Sequence, residues 1–323
     1  MTPADSADFG PRRVAVLTHL GRAEAVATAT RLIEGLSAAG ITCSVPADDF
    51  DVLASRLSGT DLQPMQPSDI ADTGAFELMI VLGGDGTILR GAEWVLASDT
   101  PLLGVNLGHV GFLAEAESSE IDSIVHHVVD CSYSVEERFT IDVTVREGDD
   151  VLWSSFAINE VSIDKASRER MLELLVEVDR RPLSRWACDG LLLSTPTGST
   201  AYAFSAGGPV IWPEVDALLL LPLSAHALFA RPLVVGPTSE VSVRLVHGSP
   251  THGVVWCDGH RSTEFRNGME IQVVQGRHRL RLARLSESPF TNRLVNKFRL
   301  PVDGWRGSAE RERRLDSPND TLV

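Results

Sequence analysis

Residues 78–87 read LMIVLGGDGT and join five apolar residues directly to a glycine-rich turn. An unbroken run of Leu, Met, Ile and Val of this length is typical of a strand that is buried on both faces. The glycines let the following backbone turn sharply and approach a ligand closely, and a helix is expected to follow through Trp94 to Ala97. Strand, glycine turn and helix in this order predict a unit of an α/β domain, in which ligands lie at the carboxyl ends of parallel strands.

The same alternation extends to both sides of this unit. We expect strands at 14–18, 41–45 and 102–105, and a helix over 23–39 that ends at Gly40. Pro, Ser and Asp punctuate residues 57–72, for which we expect an extended loop. The first residues, MTPADSADFGPRR, contain acids and no apolar segment of the kind found in signal peptides. We therefore expect a short disordered leader on a cytoplasmic protein.

From about Arg138 the pattern changes to alternation with a period of two. Apolar residues at 139, 141, 143 and 145 alternate with polar ones, as they do in strands with one buried face. Similar patterns recur at 151–158, 171–178, 241–246, 269–274 and 278–282. They predict an antiparallel β domain, most simply a sandwich.

The expected organisation is therefore an α/β domain over 1–137, with a parallel sheet, and a β-sandwich domain over 138–285. The remaining segment, 286–323, is expected to return to the α/β domain and to end in a mobile polar tail from about Gly307. Two domains agree with the length of 323 residues, which is large for a single core.

Composition excludes several classes of function. The formal net charge is −15 and no basic patch interrupts it, so a polynucleotide partner is not expected. The longest apolar run, 217–223, is broken by Pro222 and is far shorter than the roughly 20 residues of a membrane span. The four cysteines are scattered without a Cys-x-x-Cys pair, which indicates reduced, buried thiols rather than a zinc site.

The acid inside the glycine turn, Asp85, has two interpretations. It can cap the following helix in a tight turn. Alternatively, the turn can bind phosphates through its amides at the helix N-terminus, while Asp85 receives the proton of an attacking hydroxyl. A carboxylate is a weak base toward a sugar hydroxyl, so orienting that hydroxyl would be its main contribution. Neither a Walker A motif nor the protein-kinase glycine loop occurs in the chain.

Two further motifs follow strand-like segments and are less specific when taken alone. Residues 106–113 read NLGHVGFL and fit a packed turn as well as a ligand loop, with His109 as a polar loop residue. Asn159 and Glu160 form a pair that is commonplace by itself. The amide can donate and accept, and the carboxylate can accept from two neighbouring ribose hydroxyls, so the pair suits a nucleoside.

The fourth motif is the most informative. Residues 189–209 read DGLLLSTPTGSTAYAFSAGGP, in which a buried strand ends in a long series of small, hydroxylated and glycine residues. A purely structural loop of this length is uncommon in a compact domain. The segment offers many hydroxyl and amide donors, and Tyr202 and Phe204 offer aromatic faces for a base.

Together and in this order, the four motifs resemble those of the NAD kinase family. The resemblance implies ATP-dependent phosphorylation of the adenosine-ribose 2′-hydroxyl of NAD to give NADP. It further implies Mg²⁺ or another divalent metal with ATP, NAD and ATP as small-molecule partners, and a homodimer or homotetramer that binds neither nucleic acid nor membrane. Inorganic polyphosphate stays open as a second donor.

The resemblance also implies a role for individual residues. Asp85 is the general base. Four residues serve the donor phosphates, namely Gly83, Gly84, Gly86 and Thr87. The residues implied to bind NAD are Asp85, Gly86, Arg90, Asn159, Glu160, Arg170, Asp189, Thr200, Ala201, Tyr202, Ala203, Phe204 and Ser205. The WCDGH turn at 256–260 resembles a late Asp-Gly turn of the family, in which Gln often stands where this chain has His260, so the role of that residue stays open.

Two alternatives belong to other classes. Lipid kinases of the diacylglycerol and sphingosine type share the Gly-Gly-Asp-Gly-Thr loop followed by a β domain. However, the TPTGSTAY stretch at 195–202 is similar to the dinucleotide version. An NAD(P)-sensing module that no longer transfers phosphate is the non-enzyme alternative, and retention of Asp85 argues against it.

Overall fold

The computed structural model describes residues 12–71, 74–108, 111–167, 170–246, 252–286 and 289–302, together with the backbone of 2–3. The predicted leader, the polar tail from Gly307 and His109 fall largely or wholly outside these residues. Within the described ranges, no helix is both long and apolar enough to cross a membrane.

The first part of the chain alternates strands and helices. Its strands are β1 (Thr2–Pro3), β2 (Arg13–Thr18), β3 (Thr42–Pro46), β4 (Leu62–Met65), β5 (Leu78–Leu82), β6 (Leu102–Asn106), β7 (Ala116–Glu117) and β8 (Ser134–Arg138). Its helices are α1 (Ala23–Ala38), α2 (Ala47–Ala54), α3 (Pro67–Ile70), α4 (Asp85–Val95) and α5 (Ile121–Val129), with a 3₁₀ turn at Ser118–Glu120. The strands expected at 14–18, 41–45, 78–82 and 102–105 and the helix expected over 23–39 are present within a residue or two.

Neighbouring strands β4, β3, β2, β5 and β6 pair in parallel in that order. Every residue of β5 and β6 is buried, as expected for strands with helices on both faces. The α/β domain with a mostly parallel sheet is confirmed. The carboxyl ends of β5 and β6 carry the GGDGT turn and the NLGHVGFL segment, so the topology places these two motifs side by side.

The prediction of an extended loop over 57–72 is wrong. Residues 62–65 form the edge strand β4, and 67–70 form the single turn α3. Met65 and Ile70 are buried in the core, and the N–H of Gln66 donates to the carboxylate of Asp69 at 2.7 Å to cap the turn. Pro and Asp were interpreted as loop residues, whereas here they begin and cap a helix.

The middle of the chain forms two six-stranded antiparallel sheets. Their strands are β9 (Ile141–Glu147), β10 (Asp150–Ala157), β11 (Glu160–Lys165), β12 (Leu172–Val178), β13 (Arg181–Cys188), β14 (Gly190–Ser194), β15 (Leu218–Leu223), β16 (Leu233–Val235), β17 (Val241–Leu245), β18 (Gly253–Cys257), β19 (Arg261–Phe265) and β20 (Met269–Gln275). A 3₁₀ turn at Gly198–Thr200 and the short helix α6 (Tyr202–Ser205) interrupt them.

The sheets have the orders β10-β9-β20-β17-β12-β13 and β16-β15-β14-β11-β18-β19. One core cluster contains apolar residues from both, including Val143 and Leu174 from the first and Val161 and Leu193 from the second. Alternate residues of β9 are buried, as the period of two predicted. The antiparallel β sandwich is confirmed.

The chain returns to the first sheet earlier than expected. Periodicity placed residues 278–282 in the sandwich, but β21 (Leu280–Arg284) lies between β8 and β6 of the α/β sheet. It pairs antiparallel with β8 and meets β6 in parallel at Leu102 and Leu282. Alternation shows that a strand has two different faces and carries no information about which sheet it joins.

The last described helix, α7 (Phe290–Phe298), also contacts the first domain. The guanidinium of Arg293 donates to the carbonyl oxygens of Phe112 and Ala114, both at 3.2 Å, and pairs with the buried carboxylate of Glu115. Phe290 and Phe298 of the same helix also contact Trp212 and Phe204 of the second domain, so α7 lies against both.

Candidate active site

Asp85 is the first residue of α4, directly after the buried strand β5. Gly84 occupies the N-cap position, so the interpretation of Asp85 as the cap is wrong. Gly84 and Gly86 are exposed, and a Cβ at either would meet nothing within 4 Å. Amides in the first turn of a helix have no acceptor within the helix. The turn therefore presents backbone donors and the positive end of the helix dipole to open space, as a phosphate site requires.

The NLGHVGFL segment closes on Asp85 from the neighbouring strand. The N–H of Leu113 lies 3.4 Å from Oδ1 of Asp85, and a Cβ on Gly111 would overlap that same carboxylate oxygen. Gly111 is therefore required for close approach to Asp85. Gly83 has a similar role on the other side, because a Cβ there would lie 2.6 Å from the side chain of Thr87.

The Asn159-Glu160 turn lies next to this loop. Ile158 belongs to the same apolar cluster as Leu113 and Ile88 of α4. The side chain of Asn159 is half-buried and that of Glu160 is buried. The structure thus brings the GGDGT turn, the NLGHVGFL segment and the Asn-Glu pair together at one place, where the two domains meet.

Asp258 holds this turn by its backbone. Its carboxylate, with a side chain only 1% exposed, accepts from the N–H groups of Ile158 at 3.0 Å, Asn159 at 2.7 Å and Glu160 at 3.3 Å. Burial raises the pKa of Asp258, while these amides and Arg261 act in the opposite direction. The sequence of the Asp-Gly turn does not predict this role, since the contact spans about 100 residues of sequence.

The TPTGST segment holds the turn from its other side. The hydroxyl of Thr195 donates to the carbonyl of Ile158 at 2.6 Å and accepts from the N–H of Gly198 at 3.1 Å. A Cβ on Gly198 would overlap the carbonyl oxygen of Asn159. Several of the small and hydroxylated residues of this motif therefore pack and orient the Asn-Glu turn.

Glu160 is a buried acid that is not fully paired. Burial, and then the neighbouring charge of Asp258, raise its pKa to about 7, although the backbone N–H of Tyr202 donates to it. Its Oε2 has no hydrogen-bond partner among the described residues. An unpaired buried oxygen is costly, and a ligand hydroxyl that donates to it would remove that cost.

The comparisons with known proteins agree with this geometry. Residues 14–133 match the ATP-NAD kinase N-terminal domain and residues 158–285 match the ATP-NAD kinase C-terminal domain. An NAD kinase of Cutibacterium acnes is 50% identical over 306 residues, which are 94% of this chain and 95% of that protein. The chain belongs to the NAD kinase family. Membership sets aside the lipid-kinase alternative.

Solved structures show the same fold. A yeast NADH kinase complexed with NADH matches with a TM-score of 0.82 at 21% identity, over 90% of this chain and 88% of that one. An NAD kinase from Archaeoglobus fulgidus in complex with ATP matches with a TM-score of 0.66 at 24% identity, over 89% and 98%. At these identities the likeness concerns the fold.

The family's aromatic residues, Tyr202 and Phe204, are both partly exposed on α6, at 43% and 41%. Burial, and then the charges of Asp164 and Glu160, raise the pKa of the Tyr202 phenol. The backbone N–H of Tyr202 donates to Glu160, so α6 begins beside the Asn-Glu turn. Phe204 stacks on Phe298 of α7 with ring centroids 4.5 Å apart. One face of Phe204 is therefore covered by the chain itself.

Other residues of the implied NAD site differ in position or exposure. Thr200 bonds the carbonyl of Thr197, Ala203 is buried, Ser205 is exposed and Ala201 lies between the 3₁₀ turn and α6. Asp189 pairs with Lys165 at 2.5 Å, at the end of β11 opposite to Glu160. Five residues of strand separate those ends, or about 17 Å, which a dinucleotide can span.

Neither Arg90 nor Arg170 has a contact with this cluster among the described residues, and their role stays a prediction. Arg90 is exposed and lies about 140° around α4 from Asp85. Its charge acts on Asp49 of α2, whose pKa burial raises and Arg90 opposes. Arg170 is exposed ahead of β12 and follows residues 168–169, which fall in a gap of the described ranges.

A cavity of about 350 Å³ opens beside the NLGHVGFL segment. Its lining includes Asn106, Gly111, Glu115 and Glu117 from the first domain, and Arg293 from α7. Through Gly111 it reaches the back of the Asp85 loop. Sequence analysis missed the contribution of α7, because nothing local in 290–298 indicates where that helix packs.

Proposed function

We propose that this chain transfers the terminal phosphoryl group of ATP to the 2′-hydroxyl of the adenosine ribose of NAD, which gives NADP. One observation carries the proposal. An acid at the start of a helix, Asp85, and a buried, incompletely paired acid, Glu160, lie on different domains, and their neighbours Leu113 and Ile158 pack in one apolar cluster. The first position suits a phosphoryl donor and the second suits a ribose.

On the donor side, the amides of Gly84 and Gly86 would hold phosphate oxygens at the positive end of α4. Gly83 and Thr87 would shape the turn, since their N–H groups donate to the carbonyls of Val105 and Gly84. The Asp85 carboxylate orients the attacking hydroxyl and takes its proton late in the transfer. The rate then comes from positioning and charge stabilisation, with no covalent enzyme intermediate.

Magnesium would enter with ATP. Among the described residues no group of three or more His, Cys, Asp or Glu is arranged to hold a metal ion. Magnesium is commonly bound by phosphate oxygens, water and one or two carboxylates. A carboxylate oxygen of the half-buried Asp85 fits that chemistry. Asp85 is therefore the residue that would hold the ion, and the bound ion would neutralise the donor phosphates.

On the acceptor side, Glu160 would accept hydrogen bonds from ribose hydroxyls, with the Asn159 amide beside it. Tyr202 supplies an aromatic face, while Thr200, Ala201, Ala203, Phe204 and Ser205 complete the wall and Asp189 reaches the far end of the dinucleotide. Arg90 and Arg170 stay predictions of the family resemblance. The hydrogen bond from the backbone N–H of Tyr202 to Glu160 supports this side of the proposal.

A coupled assay tests the proposal. Purified protein is mixed with Mg·ATP and NAD, and an NADP-specific dehydrogenase detects the product. We expect NADP to form with the wild type and not with Asp85→Asn, while calorimetry shows that the variant still binds NAD. Binding without product from the wild type, with ATP and with polyphosphate, would favour a sensor. Near-normal turnover by the folded variant would remove Asp85 from the mechanism.

We further propose that the chain forms a homodimer or homotetramer. Strand β16 is an edge of the second sandwich sheet, and Val234 on it is 55% exposed. Leu228 and Phe229 in the preceding loop are also exposed, Leu228 fully. Exposed apolar residues beside an unpaired strand edge suit a second copy of the chain. The cytoplasmic location stays a prediction.

A further inference from the structure

The two halves of the active site belong to different domains, and apolar residues of both domains pack in one cluster beside it. Ile88 and Leu89 of α4 pack in one cluster with Ile158 of the Asn-Glu turn. Apolar contacts are non-directional, so such a contact holds the domains together without fixing how they are aligned. In-line phosphoryl transfer requires that alignment.

A polar contact outside the cleft can fix the alignment of the two domains. Glu93 lies on α4, eight residues after Asp85, and its Oε1 is 2.7 Å from Nε of Arg261 on β19. The Nη2 of Arg261 donates to Oδ2 of Asp258 at 2.7 Å. Asp258 in turn binds the three amides of residues 158–160. A continuous series of contacts therefore runs from the helix of Asp85 to the turn of Glu160.

Arg261 is itself held in place. Its Nη1 donates to the hydroxyl of Ser155 at 3.0 Å, and its guanidinium lies 4.0 Å from the centre of the Phe156 ring. A guanidinium fixed by stacking and by several directed hydrogen bonds keeps one orientation. Glu93 thus meets a rigid partner.

His260 adds a second contact to the same carboxylate oxygen. Its Nε2 is within hydrogen-bond distance of Glu93, and its Nδ1 lies 2.9 Å from the carbonyl oxygen of Asp258. A ring nitrogen that carries a proton can donate to either partner. Glu93 thus meets two side chains of the β domain, those of Arg261 and His260.

We propose that Glu93 is a positioning residue of the transfer reaction. Through Arg261 and His260 it fixes Asp85 relative to the Asn159-Glu160 turn, and it touches neither nucleotide. The side chains of Glu93 and Arg261 are partly exposed, at 24% and 21%. An ion pair of that exposure contributes little to the free energy of unfolding. Its effect is therefore on catalysis.

Glu93→Ala tests the proposal by separating turnover from binding. We expect kcat to fall about tenfold or more, since a displacement of about 1 Å can cost about a hundredfold in rate. The dissociation constants of NAD and ATP, measured by calorimetry, should change by less than about twofold, because each binding half is intact. The matched control is Glu173→Ala, which removes a carboxylate paired to Arg185 within one sheet and should leave kcat unchanged.

Glu93→Gln is the conservative variant. It keeps the shape of the side chain and an oxygen that can accept from Nε2 of His260, but loses the charge that pairs with Arg261. Its kcat should therefore lie between those of the wild type and Glu93→Ala. Where the alanine variant does not fold, a kcat about threefold below wild type for Glu93→Gln, at unchanged nucleotide affinity, supports the proposal. A folded Glu93→Ala that turns over like the wild type would overturn it. So would a loss of NAD affinity in proportion to kcat.

Discussion

Glu160 should bind NAD as a carboxylate, and the same ionised carboxylate should lower the free energy of unfolding. Its carboxyl is buried among groups that raise its pKa from 4.5 to about 7. Between those two values the folded chain binds more protons than the unfolded chain, so stability falls as pH rises through the window and the loss is complete above it. At about 1.4 kcal/mol for each pH unit, the ionised carboxylate costs about 3 kcal/mol.

Glu160→Gln removes that cost because the amide does not ionise. We expect the variant to gain up to about 3 kcal/mol over the wild type at about pH 8 and much less near pH 5. Urea unfolding at a series of pH values, followed by fluorescence, measures the difference. Glu264→Gln, at an exposed position of β19, is the control and should keep the slope of the wild type.

NAD binding should respond in the opposite sense. The ribose hydroxyls need an ionised acceptor, and a group with a pKa near 7 is about one-tenth ionised at pH 6 and nine-tenths at pH 8. NAD affinity of the wild type should therefore rise about tenfold over that range, whereas that of Glu160→Gln should be weaker and insensitive to pH. Parallel curves of unfolding free energy against pH for the wild type and the variant would refute the reasoning.

Three other predictions concern the cleft and the surface. Gly111→Ala should lower kcat about a hundredfold, because the new methyl group displaces the Asp85 carboxylate. Gly236→Ala, where a Cβ has room, is the control in the same kinetic assay. Equal rates for the two variants would contradict the requirement for glycine beside Asp85. Tyr202→Ala should weaken NAD binding more than ATP binding by calorimetry, and equal losses would defeat it. Leu228→Glu should reduce the mass seen by light scattering if the exposed loop joins two copies; an unchanged mass would place the interface elsewhere.

The local sequence pattern predicted the elements whose structure depends on residues close to one another in sequence. The strand at 78–82 was located to the residue, because five apolar residues with a glycine turn have few other solutions. The four motifs also indicated the correct family, since each turn or loop has its own chemistry. In contrast, β4 and α3 were missed, because their burial depends on distant neighbours of Met65 and Ile70.

The residues that hold the site in place could not have been predicted from the local sequence pattern. Asp258, Arg261 and Glu93 are single charged residues on ordinary elements, and their contacts cross from 98 to 168 positions of sequence. Only the folded chain shows that one buried acid holds the Asn-Glu turn. The same holds for Arg293, which a local reading assigns to a polar surface.

The return of β21 to the first sheet has a consequence for biosynthesis. Strand β6 pairs with β21 where Leu102 meets Leu282. Leu282 leaves the ribosome some 180 residues after Leu102. The sandwich strands from 141 to 275 are all contiguous, so they can assemble while the first sheet still lacks a central strand. In the nascent chain the edge of β6 therefore stays unpaired by β21 until residues 280–284 have been made. A chain that ended before residue 280 would keep the parallel strands β2 to β6 but would leave that edge of β6 open.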